Sequence, residues 1–545
     1  MTIADPRPSS TSDGVFQRRW LILGLLCASL IIVIVGNSSL NVALPTLANE
    51  LDASTTDLQW MVDSYALVFA GMLLTAGALG DRFGRKGALQ LGLVLFAIGV
   101  VGAAFSGSSA QLIAARAVMG FGAAFVMPST LSILTNVFPA SERAKAIAIW
   151  AGVSGGGAAV GPVASGFLLE HFWWGSVFLV NLPIIVAALV AGRTLLPKSS
   201  DPAHAPLDPV GAALSVVGLS ALIYAIIEAP NHGWTSGATL AWFGAAVTVL
   251  AVFALWERSR SQPMLDLSFF ADRRFSVSSG GIMLVFFAMF GALFLMAQFL
   301  QLVLGYSPLE AGVRLLPMSF VMMAIAPMTP RLVRRFGPDR VAGGGLFLIA
   351  AGLAGFNLFG IDASYAQVLG TLSVLAAGMA LTMSPMTTEL MAAVPPAKAG
   401  VGSAMNDTTR ELGGALGVAL LGSLVASQYT SSLTSAVAGL PDALRPVALS
   451  GISGAVALAE DPARFGLELA PDAAAGLRVA AETAFVDGLG VAALIAAAAA
   501  LIASGLVLRF LPSERRADRE PGAAAIDALD HAEVPVEAST ATIPS

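Results

Sequence analysis

A single cysteine, Cys27, stands in a chain of 545 residues, so neither a disulfide framework nor a cysteine-ligated metal site is available. Charge is scarce as well: 12% of the residues are Asp, Glu, Lys or Arg, about half the share of an ordinary soluble domain. No Walker string, metal-ligand cluster or nucleophile elbow occurs at a plausible membrane depth, which argues against ATP-driven pumping and hydrolytic chemistry. A filter loop or a ring of pore charges is also missing, which disfavours an ion channel. The long apolar runs, such as 21–35 and 491–508, do not alternate, and this excludes membrane-spanning strands.

Hydrophobic residues make up 56% of the chain. They fall into stretches of about 20 residues, the length of helix that crosses a hydrocarbon layer. The pattern predicts an all-α integral membrane protein with fourteen spans at 20–44, 58–79, 87–105, 110–134, 144–167, 175–195, 209–228, 238–257, 276–297, 309–330, 341–360, 365–389, 400–426 and 483–510. With the N-terminus inside, only Arg445, Arg464 and Arg478 of the 29 Lys and Arg residues lie in outer segments. The positive-inside rule therefore predicts both termini in the cytoplasm and an uncleaved first helix. The polar segment 511–545 has no periodic apolar face and reads as disordered.

Residues Asp81-Arg82-Phe83-Gly84-Arg85-Lys86 follow the second span, and Arg335-Phe336-Gly337-Pro338-Asp339-Arg340 echo them after the tenth. The echo implies two related halves, with the substrate site at their interface near mid-membrane. The resulting division is a cytoplasmic segment 1–19, a six-helix half 20–195, a linker 196–275 with two inserted helices, a second six-helix half 276–510 with an outer loop 427–482, and the tail 511–545.

The first of these loops, preceded by Gly77-Ala78-Leu79-Gly80, resembles the cytoplasmic-loop signature of the major facilitator superfamily. Its glycines permit a tight turn and close helix approach, and Asp81 is suited to bond an arginine or cap a helix start, forming a charge latch. The latch set is Gly77, Asp81, Arg82, Gly84, Arg85 and Lys86. Four further strings narrow the resemblance to the fourteen-span drug:proton antiporter family. They are Asn41-Val42-Ala43-Leu44-Pro45, Arg116-Ala117-Val118-Met119-Gly120-Phe121-Gly122-Ala123-Ala124, Gly157-Ala158-Ala159-Val160-Gly161-Pro162-Val163-Ala164-Ser165-Gly166 and Trp174-Gly175-Ser176-Val177-Phe178-Leu179-Val180-Asn181-Leu182-Pro183. In the second half the match rests mainly on Arg410-Glu411-Leu412-Gly413-Gly414-Ala415 and on span count. The resemblance implies the major facilitator fold and assigns Gly157, Gly161, Pro162 and Gly166 to an antiport hinge. One departure stands out: where the family carries an aspartate five residues before the Asn-Val-Ala-Leu-Pro string, this chain has Gly36 followed by Asn37.

Charges inside the membrane are expensive enough to be read as functional. Asp63 and Arg116 lie at similar depth in the second and fourth spans, so a pair between them is expected, with Asp63 carrying a proton and Arg116 as its switch partner. Asp407, Arg410 and Glu411 fall at i, i+3 and i+4 and so share one helix face. This cluster is the second candidate proton-coupling site, or the counter-charge for a cationic substrate. Asn37, Asn41, Phe290 and Phe294 are the candidate lining of the substrate cavity. The expected activity is export of amphipathic, cationic small molecules across the bacterial cytoplasmic membrane, exchanged for protons and driven by the proton-motive force. No cofactor, metal, nucleic-acid partner or enzymatic step is expected. The competing readings are a dedicated exporter of one metabolite, lipid or siderophore, and a sensor or scaffold without transport.

Overall fold

The computed structural model describes residues 16–512, except 52, 54, 158–159, 198, 200–207, 262, 443 and 466–469. Side chains at some helical positions, Asn41 and Pro162 among them, also lie outside the described part. The described residues are helical throughout their long elements and contain no strand.

Thirteen helices among the described residues are long and apolar enough to cross a bilayer. The remaining expected span, 144–167, is present as Ala140–Gly157 and Val160–His171, on either side of the undescribed pair 158–159. In chain order the helices are α1 (Arg19–Ser38), α2 (Thr55–Phe83), α3 (Arg85–Ala104), α4 (Ser109–Val137), α5 (the two pieces just given), α6 (Asn181–Leu195), α7 (Pro209–His232) and α8 (Gly237–Arg258). They continue as α9 (Arg273–Gln298), α10 (Pro308–Ile325), α11 (Pro338–Gly355), α12 (Tyr365–Ala392), α13 (Ala399–Leu433) and α14 (Pro471–Phe510). The fourteen-helix reading holds.

Local chemistry fixes where these helices start. Serines accept hydrogen bonds from first-turn amides at α4 (Ser108), α8 (Ser236), α10 (Ser307) and α12 (Ser364), all at one end of the bundle. Ser307 and Ser364 complete reciprocal capping boxes with Glu310 and Gln367. At the opposite end, which carries Arg82, Arg85 and Arg335 and is called the basic end below, the tight α2–α3 and α10–α11 turns use glycines instead. Gly84 and Gly337 have φ of 109° and 92°, a region costly for any side chain with a Cβ. The same backbone solution at both places gives structural substance to the internal echo.

The seam between the halves is formed by α2 and α4 against α13 and by α5 against α10 and α12. The inserted helix α7 packs on both α2 and α13, with α8 behind it. Trp234, just after α7, donates its indole N–H to Ser423 of α13 at 2.9 Å, so the insertion lies along this seam. The segment expected as a long outer loop, 427–482, is largely helical: α13 runs on to Leu433, α14 begins at Pro471, and two short helices, Arg445–Leu449 and Ile452–Glu460, lie between them. Tyr429 anchors this cap by donating to the Ala448 carbonyl at 3.1 Å. Composition had hidden these turns, because alanine-rich helix outside the membrane carries no span-length apolar run.

Helices α2 and α13 come together at the basic end because two glycines face each other. A Cβ at Gly400 would fall 2.6 Å from the Gly77 carbonyl oxygen, and one at Gly77 would fall 2.6 Å from the Gly400 carbonyl oxygen. Gly400→Val is therefore expected to wedge the basic end open. With Cys27 replaced to leave a cysteine-free background, spin labels placed on α2 and α13 at that end should show a population at longer distance than in the unsubstituted chain.

Candidate functional site

The site is built from α13 outward. Its first turn is capped from the other half: the Asp81 carboxylate at the end of α2 accepts from Gly400 N at 2.9 Å and from Val401 N at 3.1 Å. These are among the helix-terminal amides that have no partner inside their own helix, and the positive end of the helix dipole favours the carboxylate. Arg85 donates to the same carboxylate at 2.8 Å and reaches the carbonyls of Pro396 at 2.8 Å and Ala397 at 3.1 Å. The expected latch thus joins two halves and caps α13, not the helix that follows Asp81. Lys86 does not take part in it: the ammonium donates to the Arg193 and Leu196 carbonyls, at the end of α6 in its own half. Arg82 lies beside the Phe83 ring.

Farther along α13, Asp407, Arg410 and Glu411 share one face, as their spacing required. Asp407 is fully buried, and its Oδ1 accepts from Arg410 at 3.2 Å and from Asn406 at 3.1 Å. Its Oδ2 has no hydrogen-bond partner among the described residues. Arg410 crosses to the other half, donating to Ser154 Oγ of α5. Its guanidinium lies 5.1 Å from the Trp150 ring of α5 and 4.4 Å from the Phe286 ring of α9. Trp150 is itself held by its indole N–H on Thr130 at 3.2 Å. Glu411 is surrounded by protein yet retains partial solvent-accessible surface.

Arg116 is held differently from the sequence expectation. Fully buried in α4, it donates to the Met61 carbonyl at 3.0 Å, the Gly36 carbonyl at 2.9 Å and Asn37 Oδ1 at 3.2 Å, and lies 4.4 Å above the Tyr65 ring. An ion pair with Asp63 is not among its described contacts. Arg116 meets α2 at the Met61 carbonyl and the Tyr65 ring, one turn apart, and Asp63 lies half a turn from each around the helix axis. Asp63 is half-buried and has interactions of its own. Asn37, half-buried, accepts from Arg116 through its Oδ1 and so ties α1 to α4. Gly36 is packed tightly, since a Cβ there would fall 2.8 Å from the Phe96 ring. Tyr65 also lies within electrostatic reach of Glu411, across the seam.

The glycine motif of α5 is a packing seam with three neighbours. Gly157 meets Ile34, Gly161 meets Ser38, and Gly166 meets Leu309 of α10 in the other half. Ser165 donates to the Ser39 carbonyl at 2.8 Å. Pro162, the remaining member, has its side chain outside the described part, as does Asn41. Of the candidate lining residues on α9, Phe290 packs over Gly414, and Phe294, 41% exposed, lies beside Gly422.

Sequence reasoning missed Ser154, Trp150, Tyr65 and the Gly400 and Val401 amides. A buried arginine needs acceptors and ring faces near its own depth, and nothing in linear spacing says which helix supplies them.

The fold and these buried charges define a polytopic transporter built from two halves around α13. Residues 26–418 match the Major Facilitator Superfamily profile, and the chain belongs to that family. It is 36% identical over 508 residues to the multidrug efflux pump LfrA of Mycolicibacterium smegmatis, covering 93% of this chain and 98% of that one. It is 33% identical over 517 residues to the tetracenomycin C resistance and export protein of Streptomyces glaucescens, covering 94% and 95%. Among solved structures, the human organic anion transporter MFSD10 superposes with a TM-score of 0.58 at 13% identity over 90% of this chain and 99% of that one, a likeness of fold.

Arg116 ties α1, α2 and α4 through a fork that a lysine ammonium does not reproduce. Arg116→Lys is expected to cost roughly 1.5–3 kcal/mol of stability, read as earlier thermal unfolding of the purified protein in detergent. An unchanged midpoint would show that the fork is dispensable.

Proposed function

We propose that the chain exports amphipathic, cationic small molecules from the cytoplasm in exchange for protons, with its basic end in the cytoplasm. The concentration of Arg and Lys at that end supports the orientation. The observation that carries the exchange is the charge set on α13. Asp407, Arg410 and Glu411 sum to one net negative charge when ionised, within a bundle where an uncompensated charge is costly. One positive charge neutralises the set, and either a proton or a substrate cation supplies it. Binding both leaves an excess positive charge in a poorly solvated site, so each displaces the other, which is the electrostatic condition for antiport.

Coupling to movement follows from the length of the helix. Val401, in the latch, and Glu411 are ten residues apart on α13, about 15 Å along its axis. A shift of α13 that follows neutralisation of Glu411 therefore reaches the Asp81 cap, where the cytoplasmic ends of the halves part or meet. Asp63, on the side of α2 away from Arg116, is the second candidate proton carrier. The proton-motive force drives the cycle and no bound cofactor enters it. Similarity to LfrA supports a broad substrate range, whereas similarity to the tetracenomycin C exporter supports a narrow one. Resistance to chemically unrelated cations on expression separates the two.

The coupling is tested by proton release from acid-loaded everted vesicles on addition of ethidium or a quaternary ammonium compound. The unsubstituted chain should respond, and Glu411→Gln and Asp63→Asn should not, although both insert in the membrane. Full, pH-dependent exchange by Glu411→Gln would remove this carboxyl from the mechanism.

A further inference from the structure

Two buried arginines in this bundle meet aromatic rings, and they are held in different ways. Arg116 gives its hydrogen bonds to oxygens of its own half and covers one ring, Tyr65. Arg410 lies over rings from both halves, Trp150 of α5 at 5.1 Å and Phe286 of α9 at 4.4 Å. Its further partners are Ser154 from the first half and Asp407 from its own helix. Trp150, Phe286 and Arg410 are all buried. The ring pair exists only while α5 and α9 are together, so relative movement of the halves makes and breaks it.

A guanidinium is planar, weakly hydrated and spreads its charge over several atoms. Ring faces attract such a cation most strongly where water is excluded. The same description fits amidinium, pyridinium and phenanthridinium groups of foreign compounds. Beside the rings stand two carboxylates, Glu411 and Asp407, and the second oxygen of Asp407 has no donor among the described residues. Rings from both halves and unsatisfied negative charge at the edge are what a planar organic cation requires, and Arg410 fills that place from within the chain.

We propose that Trp150 and Phe286 form a binding cage for planar, charge-delocalised cations and that Arg410 occupies it as a tethered stand-in when substrate is absent. The proposal rests on the exporter reading above and adds to it a location and a substrate class. Substrate enters by displacing the guanidinium from the rings, while Arg410 stays close to Asp407, three residues away on the same helix. Bulky cations that cannot lie between two rings do not compete for the cage.

Binding of ethidium and of tetraphenylphosphonium, equal in charge but not planar, is measured on the purified full-length protein in nanodiscs. Trp150→Leu and Phe286→Leu should each weaken ethidium binding about tenfold and leave tetraphenylphosphonium unchanged, while Trp150→Phe retains most of the ethidium affinity. Arg410→Gln should bind ethidium more tightly than the unsubstituted chain. Because that change strips Asp407 of its partner, Arg410→Lys, which keeps the charge but not the plane, is measured beside it and should shift the same way by less. Unchanged ethidium affinity in both leucine variants, equal losses for the two cations, or weaker ethidium binding by Arg410→Lys would overturn the cage while leaving the exporter reading intact. An unsubstituted protein that binds neither cation would remove both.

Discussion

Hydrocarbon solvates no charge, and α13 carries three ionisable side chains into it; the partners that the bilayer cannot supply must come from the protein. Arg410 draws them from both halves at once, from Ser154 and Trp150 on one side and from Asp407 and Phe286 on the other. A hydrogen bond from a charged group is worth about 1.5–3 kcal/mol, so the Arg410–Ser154 contact ties the halves together at this level of α13. The helix is then fixed at its basic end by the Asp81 cap and along its length by glycines. A Cβ at Gly413 or Gly417 would collide with the backbone of Met283 or Phe287 on α9.

The two halves use their buried arginines for different work. Arg116 is satisfied by backbone carbonyls, Asn37 and one ring, an arrangement internal to its half with nothing for a proton or a substrate to exchange. The α13 set is incompletely satisfied, with one Asp407 oxygen unpartnered and Glu411 still accessible. The exchange proposed above places the exchanged charge where the bonding is least complete among the described residues. The inserted helices α7 and α8 lie beside this region, and Leu219 and Phe253 pack in one cluster with Leu74 and with Val401 of the latch. Any parting of α2 from α13 therefore disturbs the insertion as well.

The span pattern, the internal echo and the shared face of Asp407, Arg410 and Glu411 were legible in the sequence, because each follows from a local period or a helix repeat. The latch was half legible: Gly77, Asp81 and Gly84 announce a tight turn and a cap, but the capped amides lie more than 300 residues away. The expected Asp63–Arg116 pair is not among the described contacts of Arg116, and equal depth in a membrane does not specify which face of a helix meets which neighbour. Asn37 in an apolar span signalled a polar partner, but the sequence did not identify it as Arg116. The ring partners of Arg410 were invisible for the same reason, Trp150 being 260 positions away along the chain.

The central claim is that the charge state of α13 decides whether the basic ends of the halves are latched. It is tested most directly by measuring the distance between spin labels on α2 and α13 at that end, in nanodiscs, as pH is varied and a substrate cation is added. A distance distribution that shifts with both in the unsubstituted chain and with neither in Glu411→Gln is the predicted result. A distribution that moves with pH and substrate alike in the two proteins would contradict the account.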